Sequence, residues 1–252
     1  MLADIHPRRV LHWDACYNVR DVGGYDTVDG RRTRWGALLR GDNLCRLTHE
    51  GQAALVAHGM RTIIDLRSPS EQIAPHPFAD PNGHDGLLTY LNLPLLDERD
   101  STGMAEINAD PSLQKLYAVI LHRYGARVAR VMKAVAEAPA GGVLVHCHAG
   151  KDRTGVVAAL LLALAGVPAD TIAEDYALSD GLLQPLYATT PLSGGPASIK
   201  RDTVAQQLSS PSGVMLATLT HLDTMYGSVR AYLEAQGAST RDMERIKERL
   251  CV

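Results

Sequence analysis

Residues 143–155 place a thiol and a guanidinium group at a spacing that suits phosphate chemistry. The apolar run at 143–145 predicts a buried strand leading to Cys147, and Arg153 opens a predicted helix six residues later. A loop between a strand and a helix N-terminus turns successive backbone N–H groups inward, where they can hold a tetrahedral anion. Arg153 adds a bidentate donor for two oxygens of that anion. The segment therefore predicts a phosphate-binding loop with a cysteine at its base.

The Cys147 thiol is the predicted nucleophile of this loop. Nearby positive charge and a helix N-terminus favour the thiolate, which is the reactive form of cysteine. Attack on phosphorus would give a phosphocysteine that water then hydrolyses, with an acid to protonate the leaving oxygen. Thr154 is placed to donate a hydrogen bond to the sulfur and help it leave. The other three of the four cysteines lie in no such pattern and are expected to be unreactive: Cys16, Cys45 and Cys251.

Alternating strand and helix signals surround the loop and must position it. Apolar runs predict three strands, at residues 62–66, 87–93 and 143–145. Predicted helices lie at 48–58, at 110–137 with a break at Gly125, and at 154–165. Asp29-Gly30 predicts an early hairpin turn, and residues 68–71 predict a helix start with a capping box. This order predicts an α/β fold with a mainly parallel central sheet flanked by helices.

The last third of the chain is predicted to be helical, with loops at 181–198 and 209–213. We found no internal repeat and no long linker. One domain over residues 1–252 is the expectation, with about 180–252 as a helical C-terminal extension.

Composition excludes several classes of protein. The chain has 252 residues, of which 46% are hydrophobic and 21% charged, as in soluble globular proteins. The net charge of −3 and the lack of a basic run argue against a nucleic-acid partner. No segment reaches the roughly 18 apolar residues of a membrane span, and residues 1–10 do not resemble a signal peptide. Cytoplasmic residence is expected, with export by another route left open. The oligomeric state is also open.

The segment from His146 to Gly155 resembles the signature of bacterial tyrosine phosphatases that carry Lys-Asp inside the phosphate loop, a family with mycobacterial and Listeria members. Further segments are similar to motifs of that family along residues 13–250: residues 18–24, 39–41, 47–48, 64–67, 175–179 and 226–233. The resemblance thus extends over nearly the whole chain.

This resemblance implies a cysteine-phosphatase fold with Cys147 as nucleophile, Arg153 as phosphate clamp, and no metal or cofactor. The residues expected to surround the phosphate are those of the loop: His148, Ala149, Gly150, Lys151, Asp152 and Arg153. In the family the lysine accompanies activity on phosphoinositides as well as phosphotyrosine. The expected substrate is therefore a phosphorylated protein, with phosphotyrosine first and phosphoserine or phosphothreonine (dual specificity) as an alternative, or a phosphoinositide.

Three carboxylates are candidates for the general acid. Trp13 and Trp35 stand outside any Trp-Pro-Asp motif, so the mobile acid loop of many tyrosine phosphatases is not recognisable. The resemblance favours Asp152, within the signature. Asp65 comes second, with pairing to a loop arginine as its structural alternative, and Asp97 third, with a solvated surface position as its alternative.

Supporting roles are predicted for residues outside the loop. Arg40 and Arg67 are expected to be scaffold residues, and His146 to hold the loop by hydrogen bonding. Residues 18, 20 and 21 are expected to stabilise a turn at 23–24. On the resemblance, the helices after Gly181 form a lid, with Pro185 and the Pro- and Gly-rich stretch at 191–196 as its hinge; ordinary packing helices are the alternative.

Two other functions are consistent with a cysteine in an anion-binding loop. Rhodanese-like sulfurtransferases and arsenate reductases use such a thiol for other chemistry. A non-catalytic phosphate-binding module is the second alternative, but it would tolerate loss of the cysteine, the arginine or the acid, and all three are present.

Overall fold

A computed structural model describes residues 5–80, 86–189 and 209–252. Its sheet contains five strands: β1 (Arg20–Asp21), β2 (Leu38–Gly41), β3 (Met60–Asp65), β4 (Thr89–Asn92) and β5 (Gly142–His146). Their spatial order is β1-β2-β5-β3-β4. Strand β1 is antiparallel to β2, and all other pairs are parallel. The predicted mainly parallel α/β sheet is confirmed.

Nine α-helices are described over these residues: α1 (His49–Ala57), α2 (Ser101–Ala109), α3 (Leu113–Ala118), α4 (Gly125–Glu137), α5 (Asp152–Ala165), α6 (Ala169–Thr189), α7 (Ser212–Tyr226), α8 (Val229–Ala235) and α9 (Thr240–Leu250). Short 3-10 turns occupy Leu44–Arg46 and Pro69–Glu71, and a π turn at Val119–Arg123 continues α3. The break predicted at Gly125 is confirmed, because α4 begins there.

The elements on either side of the phosphate loop are deeply buried. Strand β5 is buried along its whole length between β2 and β3. Helix α5 buries eleven of its 14 residues, so it has no exposed polar face. Gly166 ends α5 in the left-handed conformation, with φ 91°. The loop is therefore anchored at both ends in the core.

Two sequence predictions differ from the structure, and one helix is not predicted at all. The hairpin at Asp29-Gly30 forms only one bridge, between Asp26 and Arg32, instead of two strands. Helix α2 occupies a stretch without a clear helical pattern. Helix α6 runs to Thr189 through the predicted loop, and it carries Pro185 in its interior. Burial of Leu183 in this turn outweighs the weak helix propensity around it. The rest of that loop and the 191–196 stretch lie outside the described residues.

Helices α7 to α9 pack on the part of the fold that carries the phosphate loop. Leu222, Tyr232 and Ile246 belong to the same apolar cluster as Val145 of β5 and Val157 of α5. These helices thus have packing roles, and the lid stays a prediction. Across the described residues, no helix has the length and apolarity needed to cross a membrane.

Candidate active site

A glycine lets the phosphate loop approach strand β2. Gly150 has φ 67°, a conformation that favours glycine. A Cβ placed on it would lie 2.4 Å from the carbonyl oxygen of Gly41 and 2.7 Å from the backbone nitrogen of Asp42. No side chain fits between these backbones, so the close approach of the loop to β2 requires glycine at 150.

The carbonyl groups of the loop are bound on its outer side. Asn18 Nδ2 donates to the Ala149 oxygen at 2.9 Å, Arg40 Nη2 donates to the Gly150 oxygen at 2.9 Å, and the Asn43 backbone N–H donates to the His148 oxygen at 3.0 Å. In a trans peptide the C=O and the following N–H point in opposite directions. The N–H groups of residues 149–151 are therefore turned inward, as a phosphate cradle needs.

A buried cluster of charges supports Arg40. Asp175 of α6 accepts from Arg40 Nη1 at 2.8 Å and from Arg20 Nε at 3.2 Å, and all three side chains are buried. Burial alone would raise the pKa of Asp175, but the two guanidinium groups lower it well below its usual range. The scaffold role predicted for Arg40 is confirmed.

The turn-stabilising role predicted for residues 18, 20 and 21 holds for Asp21 alone. Its carboxylate accepts from the backbone N–H groups of Gly23 and Gly36. Asn18 and Arg20 instead reach the phosphate loop and α6. Sequence reasoning missed these contacts because they join residues more than 130 positions apart.

Cys147 and Thr154 lie at the two ends of the loop, and both are buried. In the part of the chain that the structure describes, the Thr154 hydroxyl has no hydrogen-bond partner. The expected bond to the cysteine sulfur is thus not formed in this state. The uncommitted hydroxyl remains available for a phosphocysteine sulfur, so that role stays a prediction.

Arg153 is held by a carboxylate that the sequence analysis did not single out as a site residue. Its Nη2 donates to Glu71 Oε1 at 2.7 Å and its Nη1 donates to Oε2. Glu71 lies on the 3-10 turn after β3, where Oε2 also accepts from the Ser68 backbone N–H at 2.9 Å. Burial opposes the charge of Glu71, but the bonds from Arg153 lower its pKa overall. The capping-box pattern predicts the contact between Glu71 and Ser68. No signal in the sequence indicates that Glu71 also binds Arg153.

Asp152, the first residue of α5, receives two hydrogen bonds on one oxygen. Oδ1 accepts from Tyr117 Oη at 2.8 Å and from Lys151 Nζ at 2.7 Å. The side chain of Asp152 remains 24% exposed, so part of it is accessible to solvent. Lys151 is buried, and its ammonium group also donates to the Ser209 carbonyl at 3.0 Å. The Lys151 ammonium group is therefore engaged within the protein, and its predicted place among the phosphate-binding residues stays a prediction.

The other two candidate acids have different surroundings. Asp65 is fully buried and accepts from Arg67 Nη2 at 2.7 Å and from Tyr90 Oη at 2.9 Å. Burial opposes its charge, but the bonds from Arg67 lower its pKa. Asp97 forms an ion pair with Arg127 of α4. Asp65 thus has the contacts of a structural ion pair, which also gives Arg67 its scaffold role.

His146, the last residue of β5, contacts the first peptide group of the phosphate loop. Its Nδ1 lies 3.1 Å from the Cys147 carbonyl oxygen, and burial lowers the pKa of His146 to about 4. A neutral ring therefore donates Nδ1–H to that carbonyl. The prediction of a hydrogen-bonding role is confirmed.

One cluster has the donor types of a metal site. Single ligand atoms of Asp65, His76 and His146 lie within 4.8 Å of one another. However, Arg67 occupies both oxygens of Asp65. The backbone N–H of Phe78 donates to Nδ1 of His76, which places the proton of a neutral ring on Nε2. A ring protonated there cannot ligate through that atom, so the cluster does not fit a cation.

Comparison with known proteins identifies relatives over most of the chain. The model of the family described as "Tyrosine phosphatase family" matches residues 11–252. A tyrosine-protein phosphatase of Nostoc commune is 32% identical over 85% of this chain and 74% of its own length. The triple specificity protein phosphatase PtpB of Mycobacterium tuberculosis is 30% identical over 92% of this chain and 95% of its own. Among solved structures, P. aeruginosa TpbA with pTyr matches 75% of this chain and 89% of its own, at 16% identity and a TM-score of 0.31.

Proposed function

Since the chain belongs to the tyrosine phosphatase family, we propose that it hydrolyses phosphotyrosine with Cys147 as nucleophile and Arg153 as phosphate clamp. The observation that carries this proposal is the loop itself. Its carbonyls are bound outward and its N–H groups are turned inward above a buried cysteine. Such a cradle stabilises the equatorial oxygens of a phosphoryl group during in-line transfer.

We assign the general acid to Asp152. Its carboxyl group would give a proton to the leaving phenolic oxygen as the sulfur–phosphorus bond forms and the phosphorus–oxygen bond breaks. In the second step the carboxylate would take a proton from the attacking water. Exposure at the loop supports Asp152, and full burial against Arg67 disfavours Asp65. Thr154 would bond the departing sulfur.

Glu71 leaves enough donors on Arg153 for phosphate. A guanidinium group has five N–H donors, and Glu71 accepts from one on each Nη atom. Within the described residues, the Nε–H and one N–H on each Nη atom of Arg153 remain for a ligand. Arg153 can therefore keep its ion pair and still bind two phosphate oxygens through Nε and one Nη.

We further propose, on weaker support, that the enzyme also accepts substrates other than phosphotyrosine. This proposal rests on the relative described as a triple specificity phosphatase. The buried contacts of Lys151 give no added support for phosphoinositides.

Four free thiols support the proposal of a cytoplasmic enzyme, since disulfides are rare there. The cluster joining β5 to α9 supports one domain over residues 1–252.

The test is hydrolysis of para-nitrophenyl phosphate with EDTA present. Wild type is expected to turn over and Cys147→Ser to lose at least about 10³-fold. Cys45→Ser, which changes another free thiol, is the matched control and keeps most of the activity. Phosphate release by Cys147→Ser at the wild-type rate would refute the nucleophile, and sulfur transfer from thiosulfate would support the thiol-enzyme alternative. Phosphotyrosine, phosphoserine and phosphoinositide substrates then rank the specificity.

A further inference from the structure

The hydrogen bonds of the Asp152 carboxylate are unequally divided. Among the described residues, both donors, Tyr117 Oη and Lys151 Nζ, bind the same oxygen, Oδ1. Two directed donors on one oxygen fix the rotation of the carboxyl group. Oδ2 is then the atom left for a proton and for contact with a substrate.

Tyr117 is built to donate at this position. It lies on α3, is buried, and has a second contact from its hydroxyl to that of Tyr176 on α6, at 2.6 Å. A carboxylate only accepts, so the single proton of Tyr117 goes to Asp152 and Tyr176 donates to Tyr117. Burial and the charge of Asp152 raise the pKa of Tyr117 well above its usual value. The phenol therefore keeps its proton, and can donate it in a hydrogen bond, at neutral pH.

We propose that Tyr117 is a positioning residue for the reaction: its hydroxyl holds Asp152 Oδ1 inside the protein and so directs Oδ2 to the leaving-group oxygen. The proposal rests on the proposed phosphatase function and on Asp152 as its acid. Among the described residues, the Tyr117 hydroxyl binds Asp152 and Tyr176, so its proposed effect on the reaction acts through Asp152. Its effect is confined to the step in which Oδ2–H gives its proton to the departing oxygen.

Leaving-group dependence tests this role. Proton donation matters most for a poor leaving group and least for a good one. With phenyl phosphate, Tyr117→Phe is expected to lower kcat/KM about 10-fold to 100-fold, and with 2,4-dinitrophenyl phosphate less than about 3-fold. Inorganic phosphate should inhibit the variant and wild type equally, because the loop is untouched. Asp152→Asn should show the same pattern more strongly, and adding Tyr117→Phe to it should change little.

Tyr232→Phe is the matched control, since Tyr232 is also buried and donates one hydrogen bond, to the Leu121 carbonyl at 2.8 Å. It should leave the ratio of the two substrates unchanged. Equal losses of Tyr117→Phe on both esters, or weaker phosphate inhibition, would mean that Tyr117 serves the fold alone and would overturn the proposal. If Asp152→Asn shows no leaving-group dependence, the acid assignment fails together with it. If wild type hydrolyses neither ester, the phosphatase function itself fails.

Discussion

Glu71 and Arg153 form a two-point ion pair between the turn after β3 and the first turn of α5. The carboxylate fixes the plane of the guanidinium group before any substrate arrives. Fixed orientation of a binding group lowers the ordering cost of the transition state. Glu71 is thus a supporting residue of the site, although it lies in a separate part of the chain.

Substitution of Glu71 tests this support. Glu71→Gln keeps the size of the side chain but removes the charge and turns one acceptor into a donor. We expect kcat/KM for para-nitrophenyl phosphate to fall about 10-fold, the value of roughly one charged hydrogen bond. Glu98→Gln is the control, because Glu98 binds Ser70 of the same turn. Equal activity of Glu71→Gln and wild type would show that Arg153 needs no such support.

Asp65 and Asp152 are expected to fail in different ways when changed to asparagine. Asp65→Asn leaves the buried Arg67 without its charge partner, which should lower the free energy of unfolding by about 3 kcal/mol. Asp152→Asn removes the charge that pairs with buried Lys151 and should also lower stability, but of the two variants it alone should increase the dependence of kcat/KM on the leaving group. Urea denaturation and ester kinetics separate the two. The reverse pattern would make Asp65 the acid.

Gly150→Ala tests the close contact between the loop and β2. An alanine there meets the Gly41 backbone at 2.4 Å in addition to its unfavourable φ. We expect at least about 10-fold lower activity, because the loop must shift. Gly30→Ala has a similar positive φ, 82°, but open space around the added carbon. Gly30→Ala should therefore show only the effect of the strained φ: a loss of about 1 kcal/mol in the free energy of unfolding, with full activity. Equal activity of Gly150→Ala and Gly30→Ala would contradict the importance of the close contact between the loop and β2.

Two buried histidines predict loss of stability in mild acid. Burial lowers the pKa of His146 to about 4 and that of His76 to about 3, whereas an unfolded chain titrates near 6.5. The unfolded state therefore binds more protons between these values, so stability is full above about pH 6.5 and falls as the pH drops toward 4. His76→Phe keeps a ring beside Tyr90 and removes one titrating group. In urea denaturation at pH 7 and pH 4.5, the variant should lose less stability than wild type.

Local signals predicted the parts of the site that are continuous in sequence. The buried strand before Cys147 and the helix that begins near Arg153 are predicted from neighbouring residues, and both are confirmed. The supporting contacts are not local: Glu71 is 82 residues from Arg153, and Arg40 is 135 from Asp175. Many side chains of suitable charge compete for such pairings, and only the packed fold selects one. Helix α2 is not predicted because it has no apolar face at helical spacing, Gly103 being its only buried residue; Asp100 caps its first turn and also binds Arg123 of a later segment.

The position of Asp175 has a consequence for the order of events on the ribosome. Arg20 and Arg40 are synthesised early, but the carboxylate that forms an ion pair with each of them comes from α6. Strand β2, which carries Arg40, also pairs with β5, a segment that emerges about a hundred residues later. Two buried guanidinium groups without their anion would be strongly unfavourable. The buried arrangement of these two arginines therefore cannot be completed before α6 has been synthesised, although Arg40 also binds the phosphate loop.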